Sequence, residues 1–275
     1  MRPFLSDQVE GDDGLPALTA GPWWQSKHYY VRRYGYIFST GMHQKWTTRV
    51  YVDLFSGPGR VVINESPHQN IDGSPLIALK QPKGFTHCFF ADANGSYVDA
   101  LKRRVATLSP SAVVRYYVDD CNRAATSISK DLPPGRGWLG LAFIDPYRWE
   151  VSLDSIRELT RDGRRLDLMI TLQIGQMVRC ADDNPSDLDA FMGGGDWHAD
   201  YLKRSQSVRR WRVLREVYED RLASLGFSYI NNDVLVRRPE GNPMYYLIFA
   251  SRDARGEDFW RKISSRSPRG QDRLL

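Results

Sequence analysis

The stretch TRVYVDLFSGPG, residues 48–59, orders the rest of the chain. Thr48 to Phe55 is β-branched and apolar, which suits a strand, and Ser56-Gly57-Pro58-Gly59 closes it as a tight turn. The same design recurs downstream. Thr86 to Ala91, Ala112 to Val118, Trp138 to Ile144 and Leu166 to Thr171 read as strands. Between them Ser96 to Thr107, Arg123 to Leu132 and Leu153 to Arg161 read as helices. A shorter helix, LIALK, follows Ser74 as N-cap and Pro75 at its first position. Short continuous apolar runs alternating with helices predict an α/β fold whose mainly parallel sheet is covered on both faces.

Working outward, residues 23–46 place Tyr29, Tyr30, Arg33, Tyr34, Ile37 and Phe38 at helical spacing, an aromatic helix expected to pack on the elements C-terminal to it. Residues 1–22 are acidic and punctuated by Gly and Pro, and are expected to form a loose arm. Residues 175–225 interrupt the alternation. They begin acidic and Gly-rich and end in a basic helix, and are expected to be an inserted helical lid or cap. Ser228 to Arg237 and Met244 to Ser251 are extended and joined by Pro-Glu-Gly-Asn-Pro, which signals a hairpin. Residues 23–260 then form one domain, and 261–275 a basic tail.

The chain has 275 residues, 41% of them hydrophobic and 26% charged, enough to bury a full core, so wholesale disorder is excluded. No apolar run reaches the ~20 residues that span a bilayer, and the N-terminus lacks a secretory apolar region, so a cytoplasmic protein is expected. Three cysteines without a CxxC pair and five histidines without HxxxH or HxH spacing argue against a disulfide framework and a zinc site. The aspartates from Asp182 to Asp189 lack the spacing and closing Glu of a calcium loop, so no metal is expected. A net charge of +5 permits a polyanionic partner without requiring one.

In an open parallel sheet, ligands bind beyond the carboxyl ends of the strands. Four strand ends here carry residues suited to one ligand. The first offers Asp53 and the turn residues Phe55, Ser56, Gly57 and Gly59, where glycine lets a ligand approach the backbone. A third glycine is absent, Val62 standing in its place, and no helix begins at once; both departures disfavour a dinucleotide pyrophosphate. Asp92, after the second strand, can accept both ribose hydroxyls. After the third strand Asp120, or else Asp119, can accept an adenine amino group, the other acting as a helix cap, and Cys121 reads as core or cofactor wall. The fourth ends in Asp145-Pro146-Tyr147. Its carboxylate and the Pro146 carbonyl suit the N–H groups of a target amine, and Tyr147 can stack on a planar one. A plain Pro turn is the structural alternative.

Parallel strands with a terminal antiparallel hairpin resemble the order of the class I S-adenosylmethionine (SAM) methyltransferases, a Rossmann-like fold. YVDLFSGPG, GSPLIAL (73–79), VDDCN, FIDPY and the terminal MYYLIFASRD with FW further resemble the three-Cys-motif partner (TcmP) family, over about Lys27 to Trp260. The resemblance implies SAM as cofactor and a companion cysteine-motif protein of radical-SAM type. It leaves the substrate open: an amine of a nucleobase-like target, a small molecule or peptide, or no reaction at all in a scaffold that serves the companion.

Three further features stay outside that assignment. Lys203, Arg204, Arg209, Arg210, Arg212 and Arg215 with Trp211 suit a nucleic-acid surface, although Leu214, Val217, Tyr218 and Leu222 better fit an amphipathic core helix with a solvated basic side. Lys27 and His28, before the aromatic helix, could reach the cofactor or substrate, although placement at the surface is expected. Cys88 is expected in the core.

Overall fold

A computed structural model describes residues 9–21, 23–63, 69–230, 234–237 and 241–266. In chain order the strands are β1 (Val9–Glu10), β2 (Pro16–Ala20), β3 (Thr48–Asp53), β4 (Arg60–Ile63), β5 (Asn70–Asp72), β6 (His87–Asp92), β7 (Val113–Val118), β8 (Trp138–Ile144), β9 (Leu166–Leu172), β10 (Val234–Arg237) and β11 (Pro243–Ala250). The α-helices are α1 (Trp23–Met42), α2 (Ser74–Leu79), α3 (Gly95–Leu108), α4 (Cys121–Asp131), α5 (Leu153–Thr160), α6 (Ile174–Asp183), α7 (Asp189–Met192), α8 (Trp197–Arg204), α9 (Arg210–Ser224) and α10 (Ala254–Ser264).

Seven strands form the main sheet in the order β10-β11-β9-β8-β3-β6-β7. Strands β7, β6, β3, β8 and β9 run parallel, with Val50 level with both His87 and Gly140. Strand β11 runs antiparallel between β9 and β10. This is the expected Rossmann-like order of the class I methyltransferases.

The side-chain period of two sorts each strand onto two cores. Val50, Val52, Ala142, Ile144, Leu168 and Ile170 face α4, α5, α6 and α9. Tyr51, Phe90, Leu141, Phe143, Met169 and Leu247 face the aromatic side of α1, with α2, α3 and α10. A buried Phe or Leu side chain contributes about 1.5–3 kcal/mol, and both layers hold many, which accounts for strands that are apolar on both faces.

Several expectations are corrected. The loose arm expected over 1–22 is ordered where it is described: β1 and β2 form a hairpin, and β2 pairs in parallel with β4 in a second sheet, β1-β2-β4-β5. Arg104 of α3, only 5% exposed, anchors it by donating to the Asp13 carboxylate and to the carbonyls of Leu15, Pro16 and Pro58. Part of the expected basic tail, up to Ser264, belongs to α10, whose Trp260 stacks on Phe249 at 5.2 Å; residues 267–275 lie outside the described residues. Helix α2 begins at Ser74 with Gly73 as its cap, so Ser74 is not the cap. Residues 174–224 hold α6 to α9, whose Phe191, Trp197 and Tyr218 are buried in the core rather than held over the strand ends.

Candidate active site

The carboxyl ends of β3, β6, β7 and β8 lie side by side, so their terminal residues share one rim. Alternation turns Asp53, Asp92 and Asp145 toward the α1 face of the sheet, since each stands two residues beyond a side chain packed there: Tyr51, Phe90 and Phe143. These acids sense one another. Burial lifts the Asp53 carboxyl to about 7, and the neighbouring Asp145 and Asp92 add to the rise against the hydroxyl of Ser74 and the amide of Phe55. Asp53 is completely buried, accepting from Phe55 N at 3.2 Å and from the Tyr51 hydroxyl at 3.4 Å. Burial also raises Asp92, although the amides of Asn94 and Gly57 donate to it at 2.8 and 2.9 Å and oppose the rise.

Gly57 and Gly59 adopt φ of +57° and +83°, a region that glycine enters freely. Their missing side chains also serve packing. A Cβ on Gly59 would stand 2.7 Å from Leu101 Cδ1, and one on Gly57 3.0 Å from Leu18 Cδ1 of β2. The turn is therefore covered on its outer side by the ordered N-terminal strand. Ser56 donates its amide to the Ala91 carbonyl at 2.9 Å, while its hydroxyl is buried without a partner. Phe55 packs against the core cluster that contains Cys121.

At β7 the two aspartates divide. Asp120 caps α4 by accepting from Asn122 N at 2.9 Å. Asp119 pairs with Arg123 at 2.6 Å, and that bond holds its carboxyl below the usual range. The backbone of Asp119 reaches back to the Asp92 carbonyl at 3.3 Å, tying the third strand end to the second. Burial, with Asp120 next, pushes the Cys121 thiol up to about 12, so it is no thiolate nucleophile near neutral pH. Cys88 is fully buried and likewise raised by burial.

The fourth strand end brings the largest surprise. Lys27, expected at the surface, is 5% exposed, and its ammonium donates to both Asp145 oxygens at 2.7 and 2.9 Å. The same Nζ lies 5.1 Å from the centre of the Trp24 ring and 5.3 Å from that of Tyr245. His28 is also buried, against Trp24; burial and the neighbouring charges of Lys27 and Arg32 drop it to about 3, so it is neutral. The sequence carries no local sign of this pair, because Lys27 and Asp145 meet only through tertiary packing of α1. Tyr147 is 41% exposed, free to meet a ligand, and the Pro146 carbonyl accepts from Gln173 Nε2 at 3.4 Å.

The structure thus brings Asp53, Gly57, Asp92 and Asp145 together and places Asp120 and Cys121 on the adjoining strand end. Two concavities of about 360 and 380 Å³ lie elsewhere, one below the amino-terminal edge around Trp138 and Arg164, the other between α1 and α2. At the rim the carboxylates are bonded to neighbouring donors, so a ligand enters by exchanging those bonds. Among the described residues no cluster of metal-ligating side chains occurs, and no helix is long and apolar enough to cross a membrane.

No protein-family model and no curated protein matches the chain. Among solved structures, a Legionella pneumophila protein of the DUF519 family superposes with a TM-score of 0.52 at 10% identity, over 88% of this chain and 91% of that one. A geranyl diphosphate methyltransferase in complex with SAM gives 0.43 at 12% identity, over 81% and 85%. A Clostridium thermocellum rRNA-methylase gives 0.38 at 10% identity, over 78% and 94%. The first of these likenesses supports the fold that the strand order already shows.

Proposed function

We propose that the chain is a SAM-dependent methyltransferase acting on an amino group or similar nucleophile of a planar, nucleobase-like substrate. The observation that carries the reading is the acidic rim. Three carboxylates converge on it, two of them desolvated enough to be raised, and of the three it is Asp145 that has a buried cation, Lys27, beside it. Such a rim favours a ligand that brings positive charge, and SAM brings an ammonium and a sulfonium. When bound, SAM supplies the activated methyl group.

The chain's own residues bind and orient. Asp92 has lone pairs beyond the two amides it accepts, suited to ribose hydroxyls. Asp53 neutralises an ammonium through the turn above it. Asp120, after its single capping bond, can accept an adenine amino group, with Cys121, Phe55 and Ser56 as wall. Asp145 and the Pro146 carbonyl accept N–H bonds from the target amine, and Tyr147 stacks on its plane. Holding the two reactants in line is the main source of rate here. Lys27 holds the Asp145 carboxylate in place, both of its oxygens accepting, until the substrate arrives.

Calorimetric titration with SAM tests the assignment. Wild-type protein binds with heat, and Asp92→Ala weakens binding about tenfold or more, the ~1.4 kcal/mol or larger loss of a charged hydrogen-bond acceptor. A protein silent to millimolar SAM would refute it.

The second reading is a non-catalytic scaffold, favoured by the Lys27 ammonium that occupies both Asp145 oxygens. It agrees with the TcmP resemblance and its companion cysteine-motif protein, in a shared cytoplasmic setting. Methyl-acceptor activity lost in Asp145→Ala supports the enzyme, and SAM binding without turnover on any amine supports the scaffold.

A further inference from the structure

The basic segment that opens α9 is not used by the rim. Its apolar side is core, with Val213, Leu214, Val217, Tyr218 and Leu222 buried. Most of its charge is neutralised within the fold: Arg210 pairs with Asp182, Arg204 with Asp200 and Asp220, and Arg215 with Glu216 and Glu219. Three arginines are different. Arg209, Arg212 and Arg237 are exposed, and among the described residues no carboxylate pairs with any of them.

Two of the three gather on one ring. The guanidinium carbon of Arg212 lies 5.2 Å from the centre of the half-buried Trp211 ring, and that of Arg237 5.7 Å. An indole attracts each cation, but two cations at one ring repel one another. An anion bridging them removes that repulsion, and guanidinium forks match phosphate geometry.

The position of this cluster gives it meaning. The Trp211 ring lies 5.9 Å from that of Tyr246, which is level with Leu172 at the end of β9. The next residue, Gln173, donates to the carbonyl of Pro146 in the fourth strand-end motif. The arginines therefore stand near the carboxyl end of β9, the same end of the sheet as the candidate active site, on its α9 face.

We infer that Arg212 and Arg237, gathered about Trp211, form with the exposed Arg209 just before α9 a docking surface for the phosphodiester backbone of a nucleic acid strand whose base is presented to the rim. The inference rests on the methyl-transfer reading for the direction of that base, and the chain's net charge of +5 agrees with a polyanionic substrate. Backbone binding of this kind releases counterions and falls steeply with salt.

The test is fluorescence anisotropy with a labelled 20-nucleotide single-stranded RNA and the DNA of the same sequence, at several salt concentrations. Wild-type protein binds one or both, and the arm that binds tells the sugar. Arg212→Ala/Arg237→Ala weakens binding about tenfold or more and lowers the salt slope by about 2, roughly one for each phosphate contact removed. The charge-matched control Lys83→Ala/Arg103→Ala, on distant exposed residues, changes neither. Unchanged thermal melting and SAM titration in the double variant show that the fold and the cofactor site are intact, so loss of RNA binding reports on this surface alone. Equal binding by wild type and double variant overturns the inference, as does no binding to either strand at low salt or equal competition by polyglutamate. Absence of SAM binding with arginine-dependent, salt-sensitive binding retained would refute the methyl-transfer reading and leave the surface standing.

Discussion

Replacing Asp53 by asparagine removes a charge from the driest point of the rim while keeping the shape that the Phe55 amide and the Tyr51 hydroxyl contact. The Asp53 carboxyl is raised from 3.8 to about 7, chiefly by burial. Its contribution to stability is therefore fully present below pH 3.8 and lost as pH rises through 7, because the folded state holds a proton that the unfolded chain releases. A shift of this size corresponds to roughly 4 kcal/mol in total, and about 3 kcal/mol of it falls between pH 5 and pH 8. Asparagine has no such term. Other shifted groups, among them Asp167 at about 6 and His28 at about 3, are present in both proteins and largely cancel in the difference. At about 2–4 °C per kcal/mol for a domain near this size, the melting temperature of Asp53→Asn relative to wild type should rise by about 6–12 °C from pH 5 to pH 8. Differential scanning fluorimetry across that range measures it. A difference between the two proteins that stays flat with pH would refute the claim that burial holds this carboxyl protonated.

Gly59→Ala puts a methyl group 2.7 Å from Leu101 Cδ1 in a positive-φ backbone, and should cost about 1–3 kcal/mol in urea unfolding; Leu101→Ala in the same chain lowers the added cost by relieving the clash. Lys27→Met strands the Asp145 carboxylate, 13% exposed, and should cost about 3–5 kcal/mol; adding Asp145→Asn should recover most of the lost melting temperature, and no recovery would mean that Lys27 acts through packing alone. Arg104→Ala should free residues 13–20, seen as faster amide exchange on β2 with little change on β3; unaltered exchange would disprove its anchoring role.

The main sheet was legible because its central strands are apolar on both faces and end abruptly in an acid or a glycine turn. TRVYVD, HCFFAD and WLGLAFI each announce themselves without help from the rest of the chain. The second sheet was not. VE, PALTA, RVVI and NID are too short for periodicity to speak, and their pairing depends on contacts such as Leu18 with Val61 and on Arg104 reaching back to Asp13. The rim acids were found for a related reason: each lies at the end of a strand that was itself legible. Lys27 escaped because nothing around it in sequence speaks of Asp145. The basic opening of α9 was visible as charge, but only geometry separates Arg212, held to an indole beside Arg237, from Arg210, spent on Asp182.

The insertion of β11 between β9 and β10 sets an order on biogenesis. On the ribosome, β9 emerges with one edge bare and waits through the whole of α6 to α9 and the earlier-made β10 before the strand that covers it arrives. Until then the nascent chain carries an open template for pairing with its neighbours on the same message, and a translational pause before Pro243 would lengthen that exposure.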